Sequence, residues 1–259
     1  MEILFSFLIC LLATTIGGIS GVGGGVIIKP VLDATSGMPV ATVSFLSGCT
    51  VLAMTITSML RSRGGEVKVE PRRGTLLAIG AAVGGVAGKE LFELVRASGG
   101  SAVSVAQQVM MIVLTLGVLV YTLNRPRIAA KDVKNPAACV TIGLVLGLLS
   151  AFLGIGGGPI NLAVLYYFFS MDTKTAALNS LYIILFSQGA SFLNTILRGT
   201  VPEFQWPVLI VMVIGGIVGG TLGRSISKRL SNSGVDRLFF WLLIAITGIS
   251  CYNLVRCFV

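Results

Sequence analysis

"SGVGGGVIIKP" at residues 20–30 and "LGIGGGPINLA" at residues 153–163 decide how this chain folds. Each carries three consecutive glycines, with a fourth two positions earlier, inside a strongly apolar run. A glycine in a helix interior costs about 1 kcal/mol relative to alanine. Four within five positions therefore break the helix that the surrounding residues would otherwise form. The break occurs twice, with Gly23 and Gly156 standing 133 residues apart.

The surroundings of these breaks are those of a membrane protein. The 259 residues are 54% hydrophobic and 11% charged, with a mean hydropathy of +0.94. A soluble domain carries about 25% charged residues, so this chain lacks the polar groups to cover a water-facing surface. Apolar runs fall at about 2–16, 26–37, 39–60, 74–95, 103–123, 137–153, 159–170, 175–197, 207–223 and 236–257. A hydrocarbon core of about 30 Å takes about 20 helical residues to cross. The two runs that follow the glycine breaks reach only about half of that. The fold class is an all-α polytopic membrane protein, with the lipid bilayer as its partner.

The net charge of +9 does not point to nucleic acid. The basic residues cluster in short loops between apolar runs, the pattern of cytoplasmic anchoring. The first run lacks a basic leader region and a clear cleavage site, so it is read as mature structure. The chain has no histidine, which removes Ser-His and Cys-His catalysis and histidine-ligated metals or haem. The cysteines 10, 49, 139, 251 and 257 show no CxxC spacing and read as small packing residues. No catalytic residue, metal site or cofactor is expected.

An internal repeat accounts for the paired breaks. At the 133-residue offset Met38 falls on Met171, Thr42 on Thr175, Ser47 on Ser180 and Ser58 on Ser191. A two-residue insertion then brings "GAAVGGVAGK" (80–89) over "GGIVGGTLGR" (215–224), with four glycines and a terminal base in register. Three blocks in one order indicate a duplication. Residues 1–123 form the first repeat, the basic linker "NRPRIAAKDVKNP" covers 124–136, and residues 137–259 form the second repeat. The i, i+4 glycines 80, 84, 88 and 215, 219, 223 are small-residue stripes that let helix backbones approach closely in lipid. Such faces are also compatible with a homodimer.

Two topologies compete. Either each glycine-broken segment crosses fully, giving eight spans and parallel halves, or each is a re-entrant hairpin, giving three further spans per half and inverted repeats. The inverted arrangement puts fourteen of the nineteen Lys and Arg residues on one side, the parallel one eleven. The positive-inside rule favours inversion.

Broken segments in corresponding positions of two halves point to a transporter's substrate site. Helices beginning near Val26 and Pro159 would aim unpaired N–H groups and positive dipole ends at mid-membrane depth. Proline suits the first helical position. Paired helix N-termini make an anion site without a cluster of buried lysines. The candidate substrate-binding residues are Gly23, Gly24, Gly25, Val26, Lys29, Gly156, Gly157, Gly158, Asn161, Ser47, Asn179 and Ser180. Lys29 reads either as a ligand or as a snorkelling base. Tight packing alone is the competing reading of the glycines. Asp33 and Asp172 read as interface or cap residues, and no carboxylate falls mid-span to serve as a proton relay.

Two copies of GxGGG, at 21–25 and 154–158, the second within "GIGGGPIN", in a duplicated chain of this length resemble the sulfite exporter TauE/SafE family. The resemblance covers essentially the whole chain. It implies a multi-pass transporter of the plasma membrane, the inner membrane in bacteria, moving sulfur-containing anions such as sulfite or organosulfonates. Lys29 departs from the apolar residue expected after GGG in that family. The leading expectation is a secondary transporter of a small, sulfur-containing oxyanion working by alternating access between the repeats, not an enzyme. The alternatives are an anion channel and a metal-free intramembrane enzyme built on a Ser-Lys dyad with Lys29.

Overall fold

A computed structural model describes residues 2–62, 67–99, 102–155 and 157–256. Gly156, Arg63 and Cys257 lie outside the described residues, so the expectations placed on them have no structural counterpart here. Within the described residues the chain forms ten α-helices and no strand. They are α1 (Glu2–Ser20), α2 (Gly25–Thr35), α3 (Val40–Ser62), α4 (Pro71–Gly99), α5 (Ala102–Asn124), α6 (Pro136–Leu153), α7 (Pro159–Phe169), α8 (Thr173–Leu197), α9 (Trp206–Arg229) and α10 (Asn232–Arg256). Eight are long and apolar enough to cross a membrane, and the protein is a multi-pass membrane protein. The two that fall short are α2 and α7, both 11 residues long, or about 16 Å of helix.

Local chemistry sets the boundaries. Asn135 accepts the Ala137 N–H at 2.9 Å to start α6, and Asp172 accepts the Lys174 and Thr175 N–H groups to start α8. Both are N-caps that satisfy first-turn donors. Gly154, at φ +66°, closes α6 in the left-handed conformation that suits glycine.

Side-chain contacts give the direction of each helix. Along α9, Gly215 lies against Cys10, Gly219 against Thr14 and Gly223 against Thr15, while Ser227 donates to the Ile19 carbonyl at 3.3 Å. Helices α1 and α9 are therefore parallel. Ser58 donates to the Gly220 carbonyl at 3.3 Å and Lys228 to the Arg61 carbonyl at 3.0 Å, so α3 runs the same way. In turn, α4 is parallel to α6, with Gly80 against Val140, Gly84 against Leu144 and Gly88 against Leu148. It is also parallel to α8, through Glu70–Asn179 and Ser191–Gly85. The bundle thus has one end holding Arg61, Arg73, Arg125 and Lys228, called the basic end below, and an opposite end holding Val40, Leu197 and Trp206.

Against this frame, α1 runs from the opposite end toward the basic end, and α2 returns. Asn253 and Arg256, at the far end of α10, donate to the carbonyls of Pro30 and Ala34. Helix α6 starts at the basic end, and α7 returns there, where Arg125 stacks over the Tyr166 ring at 3.8 Å and the Lys131 N–H donates to Tyr167 at 2.6 Å. Each glycine-broken segment is a hairpin, and the two enter from opposite ends.

Both glycine stripes are packing faces. A methyl group on Gly84 would overlap the Leu144 carbonyl, and one on Gly223 the Thr15 carbonyl. The stripe of α4 packs on α6, and that of α9 packs on α1, so each serves the hairpin of the other half. The faces that suggested a homodimer are occupied within the chain. The linker is tied to α4 by Arg73–Asp132 at 2.7 Å, and Lys134 and Arg73 hold the Asp132 carboxyl below its ordinary range.

Candidate functional site

The tips of the two hairpins touch. The Gly158 N–H donates to the Val22 carbonyl at 3.1 Å, a side chain on Gly25 would overlap the Ile155 carbonyl, and Val26 packs over Gly158. Only glycine fits the turns. Gly21 has φ +79° with Ala177 directly behind it, and Gly157 has φ +119° with Ile184 behind it. A left-handed backbone costs other residues about 1–2 kcal/mol even in open space. The Gly21 carbonyl, exposed by the turn, accepts the Ser180 hydroxyl at 2.6 Å.

From this meeting point α2 and α7 diverge toward opposite ends. Neither start has a side-chain cap: Gly24 precedes α2, and Gly158 with Pro159 opens α7. First-turn N–H groups and the positive ends of two helix dipoles therefore gather in the middle of the bundle. Asn161, 1% exposed, lies in the first turn of α7 with its Oδ1 unpartnered. Ser47 is fully buried, and its Oγ also lacks a partner. It sits on α3 one turn from Val51, which packs on Gly25, and three residues from Ser44, which packs on Gly154. A buried hydroxyl without a partner costs about 1–3 kcal/mol, so unfilled polar groups cluster around the tips.

Of the predicted residues, Gly23, Gly24, Gly25, Val26, Gly157, Gly158, Asn161, Ser47 and Ser180 thus converge on the tips. Two are engaged elsewhere. Asn179 accepts from the Glu70 N–H at 3.2 Å and donates to the Thr175 carbonyl, holding the start of α4. Lys29 is buried, and its ammonium lies 2.7 Å from Asp33 Oδ2, an i, i+4 pair on α2. Its Cε comes close to Gly154, but no serine is hydrogen-bonded to it among the described residues, so the pairing a Ser-Lys dyad needs is absent from this arrangement.

Two cavities flank the tips on the side away from the basic end. One, of about 230 Å³, is lined by Lys29, Asp33, Gln107, Gln108, Asn253 and Arg256. The other is lined by Ser44, Gly48, Lys89, Gly154, Gln188 and Thr195. Sequence reasoning left Gln107, Gln188, Asn253 and Lys89 out of the site. The available signal was their polarity within apolar runs, since polar groups inside spans face the protein interior. Gln107 donates to the Phe152 carbonyl at 2.6 Å, next to the second tip.

Comparison with known proteins places the chain beside membrane transporters. The family model described as Sulfite exporter TauE/SafE matches residues 6–250. The chain is 25% identical to "Probable membrane transporter protein YunE" of Bacillus subtilis, over 91% of this chain and 92% of that protein. It is 29% identical to a "Probable membrane transporter protein" of Xylella fastidiosa over 41% of this chain and 40% of that one. It is 31% identical to "Probable membrane transporter protein MamO" of Magnetospirillum gryphiswaldense over 38% of this chain and 16% of that one. No solved structure matches the chain.

Proposed function

The chain belongs to the sulfite exporter TauE/SafE family of membrane transporters, and from that premise we propose that it is a secondary transporter of a small sulfur-containing oxyanion in the plasma membrane. The halves 1–123 and 137–259 act as inverted repeats joined by the 124–136 linker. They rock against each other so that the anion, held at the paired hairpin tips, faces one side and then the other. The protein performs no covalent chemistry on its cargo.

The observation that carries this reading is the meeting of two uncapped helix starts, joined through Gly158 and Val22 at 3.1 Å. Two such N-termini favour negative charge, and irregular backbone inside a bilayer is tolerated where it is buried in protein or lines a wet cavity. Ser47 and Ser44 add buried hydroxyls without partners, which can donate to anion oxygens. Hairpins that enter from opposite ends support the alternating-access reading, because each tip is tethered to a different end of the bundle.

The test is flux of radiolabelled sulfite and of a sulfonate into proteoliposomes holding the purified chain. Saturable exchange of at least one is expected. Flux no greater than in empty liposomes for both, with folded protein in the membrane, overturns the substrate reading.

A further inference from the structure

The glycine stripes end on a base in both halves: Lys89 follows Gly88, and Arg224 follows Gly223. The stripes themselves are absorbed by packing, but the two bases are not. Because α4 and α9 run in opposite directions, Lys89 lies in the half of the bundle away from the basic end and Arg224 in the half near it. Lys89 lines the cavity beside Gly154, Ser44 and Gln188, with Glu93 Oε1 at 3.2 Å and the Phe92 ring centroid at 5.0 Å.

Arg224 is more unusual. It is 4% exposed, its Nε has no hydrogen-bond partner, and no carboxylate among the described residues pairs with it. Gly220 and Ser227, a turn to either side on the same face of α9, are held by Ser58 and by the Ile19 carbonyl. Arg224 therefore faces α1 and α3 near the point where α1 gives way to the first glycine turn. Its Nε is enclosed in the bundle without a partner, and a guanidinium nitrogen left unpaired inside a membrane-spanning bundle is disfavoured. The planar guanidinium fork matches an oxyanion in two-point contact.

We infer that Lys89 and Arg224 are the paired entry groups for the transported oxyanion, Arg224 on the side of the basic end and Lys89 on the other. The inference rests on the transport reading above and deepens it. An anion arriving from the basic end replaces the missing counter-charge of Arg224 before reaching the tips. One arriving from the other end engages Lys89 in competition with Glu93.

The experiment uses wild-type, Lys89→Gln, Arg224→Gln and Arg224→Lys chains in proteoliposomes of single orientation, with radiolabelled sulfite presented at either face. Loss of a close charge contact raises the half-saturating concentration on the order of tenfold. Arg224→Gln should produce that rise at the basic-end face and less than about a twofold change at the other, and Lys89→Gln the reverse. Arg224→Lys should lie between wild type and Arg224→Gln. Equal losses at both faces, or none, overturn the inference. If Arg224→Gln fails to fold, the Lys89→Gln and Arg224→Lys arms decide it by the same face-specific criterion. If wild type moves no sulfite, the transport reading has failed by itself, and thermal stabilisation by sulfite decides the inference. A wild-type shift reduced in Arg224→Lys and lost in Lys89→Gln supports it, while a shift undiminished in both variants, or absent in wild type, overturns it.

Discussion

Gly21 and Gly37 both have positive φ, +79° and +62°, yet their surroundings differ completely. Gly21 is backed by Ala177, and Gly37 has nothing within 4 Å of an added methyl. Gly37→Ala should cost only the backbone term, about 1–2 kcal/mol, and keep transport. Gly21→Ala adds overpacking of about 1–3 kcal/mol and pushes the first tip away from Ser180. Thermal unfolding in detergent and sulfite flux should separate the two variants; equal behaviour would remove the tip from the mechanism. Lys29 and Asp33 allow a second test at this scale. Asp33→Asn leaves a buried ammonium uncompensated, a loss of about 3–5 kcal/mol. The double variant Lys29→Met, Asp33→Leu removes both charges and should recover most of it. A double variant no more stable than Asp33→Asn would mean the pair is not coupled.

Among the elements, the glycine stripes give the sharpest contrast. Gly84→Ala and Gly219→Ala each force a methyl into a facing backbone or side chain, on α6 and α1 respectively. Each should destabilise by at least about 1–3 kcal/mol. Gly117 on α5 and Gly248 on α10 meet nothing within 4 Å, so alanine there should be neutral or add up to about 1 kcal/mol through helix propensity. A flat response across all four in thermal unfolding would contradict the packing described here. The stripes also mark how far the sequence was legible. Their i, i+4 spacing announces a close helix contact, and the glycine breaks announce two half-length helices, because both signals are local. The partner of each stripe is not local. That α4 packs on α6 and α9 on α1, across the halves, follows from the three-dimensional path of the hairpins. Site residues divide in the same way. Gly25 and Gly158 were readable as breaks, but the Glu70 contact that occupies Asn179 and the Asp33 pairing of Lys29 depend on neighbours that no periodicity reveals.

For the whole molecule the outstanding quantity is orientation, and charge decides it. Arg61, Arg72, Arg73, Arg125, Lys131, Lys134, Lys228 and Arg229 all gather at one end, whereas Arg198 and Arg256 sit at the other. Basic loops stay in the cytoplasm, so the basic end should face inward, with the α1–α2 hairpin entering from outside and the α6–α7 hairpin from inside. The 124–136 linker and the α9–α10 turn then share a side, while the α8–α9 loop lies across the membrane from both. In a background with the native cysteines replaced, single cysteines at Ile128 and Leu230 should react with an impermeant thiol reagent only from the cytoplasmic face. A cysteine at Val201 should react only from the external face. Labelling of positions 128 and 230 from opposite faces would require parallel halves. The two hairpin tips would then have to be reached from the same side, and rocking between inverted repeats would lose its geometric basis.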